Sequence, residues 1–228
     1  MYCAGFPCQS FSVAGKRGGF QDTRGTLFFE VMRLAKERHP KYLLFENVPG
    51  LLYHNNGETF TTILNTLQEL GYSNIEWQVI DSQYFGTVQK RKRVFVIGYY
   101  GEGNRQRVFP IQGRYEVNSR KRSADFRYDE GLRIRGDGTA PTLLSSNNSL
   151  DLSKNIILVD DNRYFTPLEY WRLQGFKDEH YYLAKENLEK EYKNIKVRKQ
   201  LYKQAGNSVT VNVIEEIAKR LGADNDQK

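Results

Sequence analysis

Cysteine is scarce in this chain: among 228 residues only Cys3 and Cys8 occur. Two are too few for a disulfide framework, and they lack the second pair of ligands that a structural zinc site needs. A reducing, intracellular setting is expected, and no metal. Long apolar runs are also absent. No stretch approaches the roughly 20 residues of a membrane span, and Met1–Ser12 has neither the basic start nor the apolar run of an export signal. Membrane insertion and export are excluded on this reading, which leaves the cytoplasm. Internal repeats and low-complexity tracts are missing too.

What is present is enough chain for one domain with a core, or a domain with a small appendage, but not for two large domains. Lysine and arginine outnumber the carboxylates, for a formal net charge of +7. That balance suits a polyanionic partner, and it suits a merely basic protein as well.

Up to about Tyr100, helical and strand patterns alternate, as expected of an α/β domain with a mostly parallel sheet. Gly25–Arg38 has helical spacing through Leu27, Phe28, Val31, Met32 and Ala35, ended by His39-Pro40. Tyr42–Phe45 reads as a short buried strand that stops at Glu46-Asn47. Thr59–Leu70 predicts a second helix stopped by Gly71, and Ile75–Ile80 and Val94–Tyr99 two more strands. From Gly101 to about Asn162 the chain is rich in glycine and arginine with little periodicity, and is expected to form a separate lobe or long loops. Helices are predicted at Pro167–Leu173, Val197–Gln204 and Val211–Leu221. The expected division is a partial catalytic α/β domain over 1–100, a target-recognition region over 101–162, and C-terminal helices over 163–228 that return to the first.

The chemistry starts at Gly5-Phe6-Pro7-Cys8-Gln9-Ser10. A lone cysteine is more often a small buried apolar residue than a reagent. In a proline-stiffened polar loop, however, a thiol with a pKa of about 8.5 already carries some thiolate at neutral pH, and nearby cations increase it. Glu46 follows an apolar strand, at the carboxyl end where ligands of open α/β sheets gather. Lys90-Arg91-Lys92-Arg93 enters a strand, where alternation sets Arg91 and Arg93 on one side and Lys90 and Lys92 on the other. Gly206-Asn207-Ser208 precedes a helical run, so Asn207 or Ser208 is expected to cap it.

These blocks, in this order, resemble the cytosine-5 DNA methyltransferases: Pro7-Cys8-Gln9, the run Lys16–Glu30 after it, Glu46-Asn47-Val48, Gln89-x-Arg91-x-Arg93, Phe165 through Phe176, and Gln204 through Val209. The resemblance implies a partial Rossmann-like, S-adenosylmethionine-dependent methyltransferase fold with a small target-recognition lobe. It implies methyl transfer to carbon 5 of a flipped-out cytosine in double-stranded DNA, in a restriction-modification setting with the protein at the nucleoid. Cys8 would add to carbon 6, dividing one hard step into two easier ones. Glu46 would steady the ring at nitrogen 3, while Arg91 and Arg93 would contact the base carbonyl, the thiol or the backbone. Pro7, Leu27, Asn207 and Ser208 would touch the methyl donor, and Thr166, Pro167, Arg172, Gln174, Gln89 and Asn47 would brace the framework.

Because a base inside a duplex must be swung out, something must hold the gap. The loop from Ser10 to Gly25, with Gly15, Gly18, Gly19 and Gly25, suits closure over DNA, and Gln9, Ser12, Lys16, Arg17 and Arg24 are its expected DNA contacts. Nine basic residues against four acidic ones between Arg105 and Arg135 fit the recognition region. The departure from the family is at the front, where Met1 lies six residues before Pro7. Three βα units, on the order of 80–100 residues, would have to come from a second polypeptide or a longer product, and the sheet would show an open edge. An RNA cytosine-5 methyltransferase and a non-catalytic DNA-binding remnant are the alternatives.

Overall fold

In the computed structural model, residues 1–6, 26–103, 107–113, 122–127, 131–144, 156–161 and 163–223 are described. The chain divides into two compact units, one of Met1–Ile80 with Lys92–Ile111, the other of Asp81–Arg91 with Gln112–Gly222.

The first unit is built on β1 (Tyr2–Gly5), α1 (Thr26–Arg38), β2 (Tyr42–Asn47), α2 (Glu58–Glu69), β3 (Tyr72–Asp81) and β4 (Lys92–Tyr100). Their sheet has the order β1-β2-β4-β3, so β1 stands at one edge among the described residues. β1 runs parallel to β2, with Gly5 opposite Glu46. β4 runs antiparallel to β2, which corrects the expected mostly parallel sheet. A parallel neighbour needs a crossover of a dozen or more residues, usually a helix; α1 supplies one between β1 and β2, whereas no α-helix separates β3 from β4.

Both helices form where apolar residues recur at turn spacing. Phe28, Met32 and Ala35 of α1 and Phe60, Ile63 and Leu67 of α2 are buried, in one core with Leu43 and Phe45 of β2 and Val94 and Val96 of β4. His39, with φ of 45°, ends α1 in the left-handed conformation, and Gly71, with φ of 89°, does the same after α2. β2 is buried on both faces from Tyr42 to Phe45, and its first charged residue, Glu46, is half-buried at the strand's carboxyl end.

The second unit holds a small antiparallel sheet of β5 (Ser123–Arg127), β6 (Gly131–Arg135), β7 (Ile157–Leu158) and β8 (Arg163–Tyr164), in the order β6-β5-β7-β8. It also holds α3 (Pro167–Leu173), α4 (Asp178–Glu191), α5 (Asn194–Asn207) and α6 (Val211–Ala223). Tyr170, Trp171 and Leu173 of α3 pack with Tyr181 of α4 and with Val197, Leu201 and Tyr202 of α5. The buried indole of Trp171 donates to the Leu201 carbonyl at 3.0 Å, so its one polar atom is satisfied. No helix among the described residues is long and apolar enough to cross a membrane.

Candidate active site

In the first unit two of the sequence-predicted residues, Glu46 of β2 and Arg93 of β4, meet. Glu46 Oε1 lies 2.8 Å from Arg93 Nε, with the two side chains 18% and 16% exposed. The contact is an ion pair more than an aligned hydrogen bond, since Oε1 has no partner of hydrogen-bond geometry. Burial pushes the Arg93 guanidinium below its usual pKa, and the Glu46 carboxylate opposes that shift. Arg93 also donates from Nη1 to the Lys92 carbonyl at 2.7 Å. Glu46 Oε2 faces Gly5 across the β1–β2 pair.

Asn47, 6% exposed, joins the two strand ends. Its Nδ2 donates to the Phe6 carbonyl at 2.7 Å, and its Oδ1 accepts from the Val48 N–H at 2.9 Å. The Phe6 ring lies 5.2 Å from Phe28 and 5.7 Å from Phe45, centroid to centroid. Phe6 is therefore held through its main chain and its ring, one residue before Pro7-Cys8. Pro7, Cys8, Gln9, Ser12, Lys16, Arg17 and Arg24 all lie in 7–25, outside the described residues. Leu27 is on α1 and 55% exposed.

The second unit carries Arg91, Asn207 and Ser208. Arg91 was expected beside Arg93 as a substrate contact, yet its side chain is 4% exposed and its guanidinium donates to three main-chain carbonyls. These are Leu143 at 3.0 Å, Gly206 at 3.2 Å and Ser208 at 3.0 Å. Asn207 and Ser208 were expected to open a helix; instead Asn207 is the last residue of α5 and Ser208 its C-cap, with α6 beginning at Val211. The helical run before them, from Asn194, overrides the cap preference of Asn and Ser. Asn207 is exposed, while the Ser208 hydroxyl donates to the Ala205 carbonyl at 2.8 Å.

Gln89, fully buried, donates to the Leu173 carbonyl at 3.1 Å and accepts from the Leu143 N–H at 3.1 Å. Gln174, also fully buried, donates to the Ala205 carbonyl at 2.8 Å and accepts from Thr210 at 3.0 Å. Both brace the framework. Basic side chains of the middle region are partly neutralised: Asp125 faces Arg133 and Arg135, and Asp160 lies 2.7 Å from Arg122. The sequence places Gly5 at the head of the Gly5–Ser10 block, but its position opposite Glu46 is visible only in the strand register.

The model of the C-5 cytosine-specific DNA methylase family matches residues 1–127 and 110–223, which takes in nearly the whole chain. The chain belongs to the C-5 cytosine-specific DNA methylase family. Type II methyltransferase M.BsuFI of Bacillus subtilis is 34% identical over 94% of this chain and 56% of that protein. Type II methyltransferase M.HpaII of Haemophilus parainfluenzae is 31% identical over 96% of the chain and 70% of its own length. Little more than half of the first relative is thus spanned. Among solved structures, the S. pombe Dnmt2 methyltransferase superposes with a TM-score of 0.62 at 18% identity, over 96% of this chain and 76% of that one. That likeness shows the methyltransferase fold. Glu46, Arg93 and the Phe6 entry thus lie in the chain of a C-5 cytosine methylase, and both matched segments contribute residues the sequence singled out.

Proposed function

We propose that this methylase transfers a methyl group from S-adenosylmethionine to carbon 5 of a flipped-out cytosine in double-stranded DNA, through a transient bond between Cys8 and carbon 6, within a restriction-modification system. The observation that carries the reading is the Glu46–Arg93 pair, with Glu46 opposite Gly5 of β1 and followed by Asn47, which clamps the entry to Pro7-Cys8.

In this proposal the Cys8 thiolate adds to carbon 6 and the displaced electron density moves to nitrogen 3, where a proton shared with Glu46 stabilises it. Arg93 holds the carboxylate in place and neutralises it, so that burying both groups does not leave an isolated charge. Its remaining N–H groups are suited to the base carbonyl. After methyl transfer the proton on carbon 5 leaves to solvent or a base, and the sulfur–carbon bond breaks.

Residues proposed for the donor fit it chemically. Exposed Leu27 offers an apolar surface, and the Asn207 amide offers both a donor and an acceptor to an amino-acid head group. Arg91 braces Ser208 from behind through the Ser208 carbonyl. The donor supplies an electrophilic methyl group when bound. Residues 7–25 and the basic stretch of 101–162 are proposed to meet DNA, with 1–100 and 163–228 as the catalytic framework.

The protein, expressed from its complete gene, is to be incubated with S-adenosylmethionine and duplex DNA carrying 5-fluorocytosine. A complex that survives denaturation, and that Cys8→Ala abolishes, is expected. Equal binding by both proteins with no trapped species would leave only a DNA-binding module, and trapping on RNA alone would move the activity to RNA. A parallel reaction supplemented with the amino-terminal third of a relative tests the second polypeptide: stimulation supports it and no change refutes it.

A further inference from the structure

We infer that the exposed face of α5 is a phosphate-binding track for duplex DNA, formed by Lys193, Lys196, Lys199 and Lys203 and indifferent to base sequence. The inference rests on the function proposed above only in taking DNA as the polyanion, and the whole track lies within the second unit.

The positive charge is concentrated here. Between Glu191 and Glu215 the chain has five basic residues, Lys193, Lys196, Arg198, Lys199 and Lys203, and no acidic one. α5 occupies most of that stretch and buries Val197, Leu201, Tyr202 and Ala205. Lys196, Lys199 and Lys203, at i, i+3 and i+7, share the opposite face. Lys193, the residue just before the helix, stands one turn ahead of Lys196. All four lysines are exposed.

An ordinary solvated helix face mixes charges of both signs, and α4 does so. There Lys185 lies 3.6 Å from Glu189 and Lys190 lies 3.2 Å from Glu186, while Lys177 just before the helix lies 3.8 Å from Glu179. The four lysines of α5 have no carboxylate partner among the described residues. Like charges three and four residues apart destabilise a helix, and cations in its first turn oppose its dipole. α5 carries both penalties, with no acidic residue in its first turn to offset them. A row of anionic charge laid along this face would relieve them.

The residue types select the anion. Lysine is a compact charge that meets phosphate without the planar fork suited to reading base edges. The one arginine of the helix, Arg198, is turned onto the Tyr202 ring at 5.9 Å. Single strands are gripped by aromatic platforms, and no aromatic side chain stands on the lysine face of α5. From Lys193 to Lys203 the helix rises about 15 Å, the length of roughly four phosphates along one strand of a duplex.

The test uses the protein expressed from its complete gene and a duplex of adenine and thymine only, which holds no target cytosine, with affinity measured over a range of salt. The triple variant Lys193→Gln, Lys199→Gln, Lys203→Gln is compared with the triple variant Lys177→Gln, Lys185→Gln, Lys190→Gln, which removes the same charge from the partnered lysines of α4. Lys196 stays in both, since its ammonium lies 4.3 Å from the centre of the Tyr192 ring. The first variant is expected to bind at least tenfold more weakly at low salt. Its slope of log affinity against log salt should shrink by about 2.7, at a melting temperature equal to the parent's or higher, because repulsion is relieved. The second variant is expected to stay within threefold of the parent.

The inference is overturned by an unchanged slope in the first variant, or by equal losses in the two, which would leave net charge alone as the cause. A lowered melting temperature in the first variant overturns it by giving the lysines to the fold. A larger loss on single-stranded oligothymidine or on phosphatidylserine vesicles than on the duplex overturns it by giving them to another partner. Absence of 5-fluorocytosine trapping by the parent would instead sink the proposed function, and the slope on the adenine–thymine duplex would still decide the track.

Discussion

At the scale of single residues, the ion pair of Glu46 with Arg93 is the contact whose removal has the plainest consequence. Both side chains are more than four-fifths covered, so Arg93→Ala leaves a carboxylate in a poorly solvated place with no counter-charge. The expected cost is about 3 kcal/mol of stability, read by denaturant unfolding, together with a loss of 5-fluorocytosine trapping of about a hundredfold. Arg93→Lys keeps the charge without the planar fork and should restore most of the stability but little of the trapping. Full activity in Arg93→Ala would count against any role for the pair. Glu46 and Arg93 were legible in the sequence as candidates because each sits in a short block of residue types suited to one reaction, and the structure sets them 2.8 Å apart. The contacts that support them were not. Asn47 reaches Phe6 across 41 residues and Arg91 reaches Gly206 across 115, separations that no local pattern encodes. Asn47→Ala should cost about 1–2 kcal/mol by stranding the Phe6 carbonyl and should slow trapping more than it weakens DNA binding.

Among elements, α3 shows how a cap written in sequence becomes a pH-dependent contribution. Thr166 and Glu169 form a complete capping box, and Arg163 grips Glu169 at 2.7 and 2.9 Å. The Arg163 guanidinium, with smaller help from the Thr166 N–H and hydroxyl, brings the Glu169 carboxyl down to about 2 against the opposing effect of burial. A depressed carboxylate pKa stabilises the fold above the unfolded value of about 4.5, and this contribution disappears as pH falls through about 2. Glu169→Gln should therefore lower stability by about 1–2 kcal/mol at neutral pH and flatten the decline between pH 4.5 and 2. An unchanged acid limb in thermal melts would show that the box is idle. The long helices α1, α2, α5 and α6 were readable because burial imposes a period on them, and the strands β2 and β4 because each is a short, nearly unbroken apolar run. α4 was not, since among its residues only Tyr181 is buried. It relies on surface pairs such as Glu186 with Lys190 at 3.2 Å and Lys185 with Glu189 at 3.6 Å, which leave no apolar stripe to detect. β7 and β8, of two residues each, are too short to show any alternation.

For the whole molecule, the net charge of +7 makes any DNA complex sensitive to salt: the logarithm of the affinity should fall linearly with the logarithm of the salt concentration, and removing one lysine or arginine that meets a phosphate should reduce the slope by about one. A flat salt profile would argue against backbone contacts. Stability raises a different question, because the chain has two compact units and one of the points where it passes from one to the other lies between Arg91 and Lys92. The core of the second unit depends on a polar member at that boundary, since Arg91 ties residues 143, 206 and 208 together by their carbonyls. Arg91→Ala would leave those carbonyls buried without these donors, at about 1–3 kcal/mol each where water cannot replace them. Arg91→Lys cannot present a fork to all three. Because each unit has its own apolar core, the damage should stay local in the sense of sub-global opening. Hydrogen exchange should accelerate at Ala205–Ser208, while Leu43, Leu44 and Phe45 of β2 keep their protection. Equal loss of protection in both units would mean that they open as one cooperative body, and that Arg91 stabilises the whole chain.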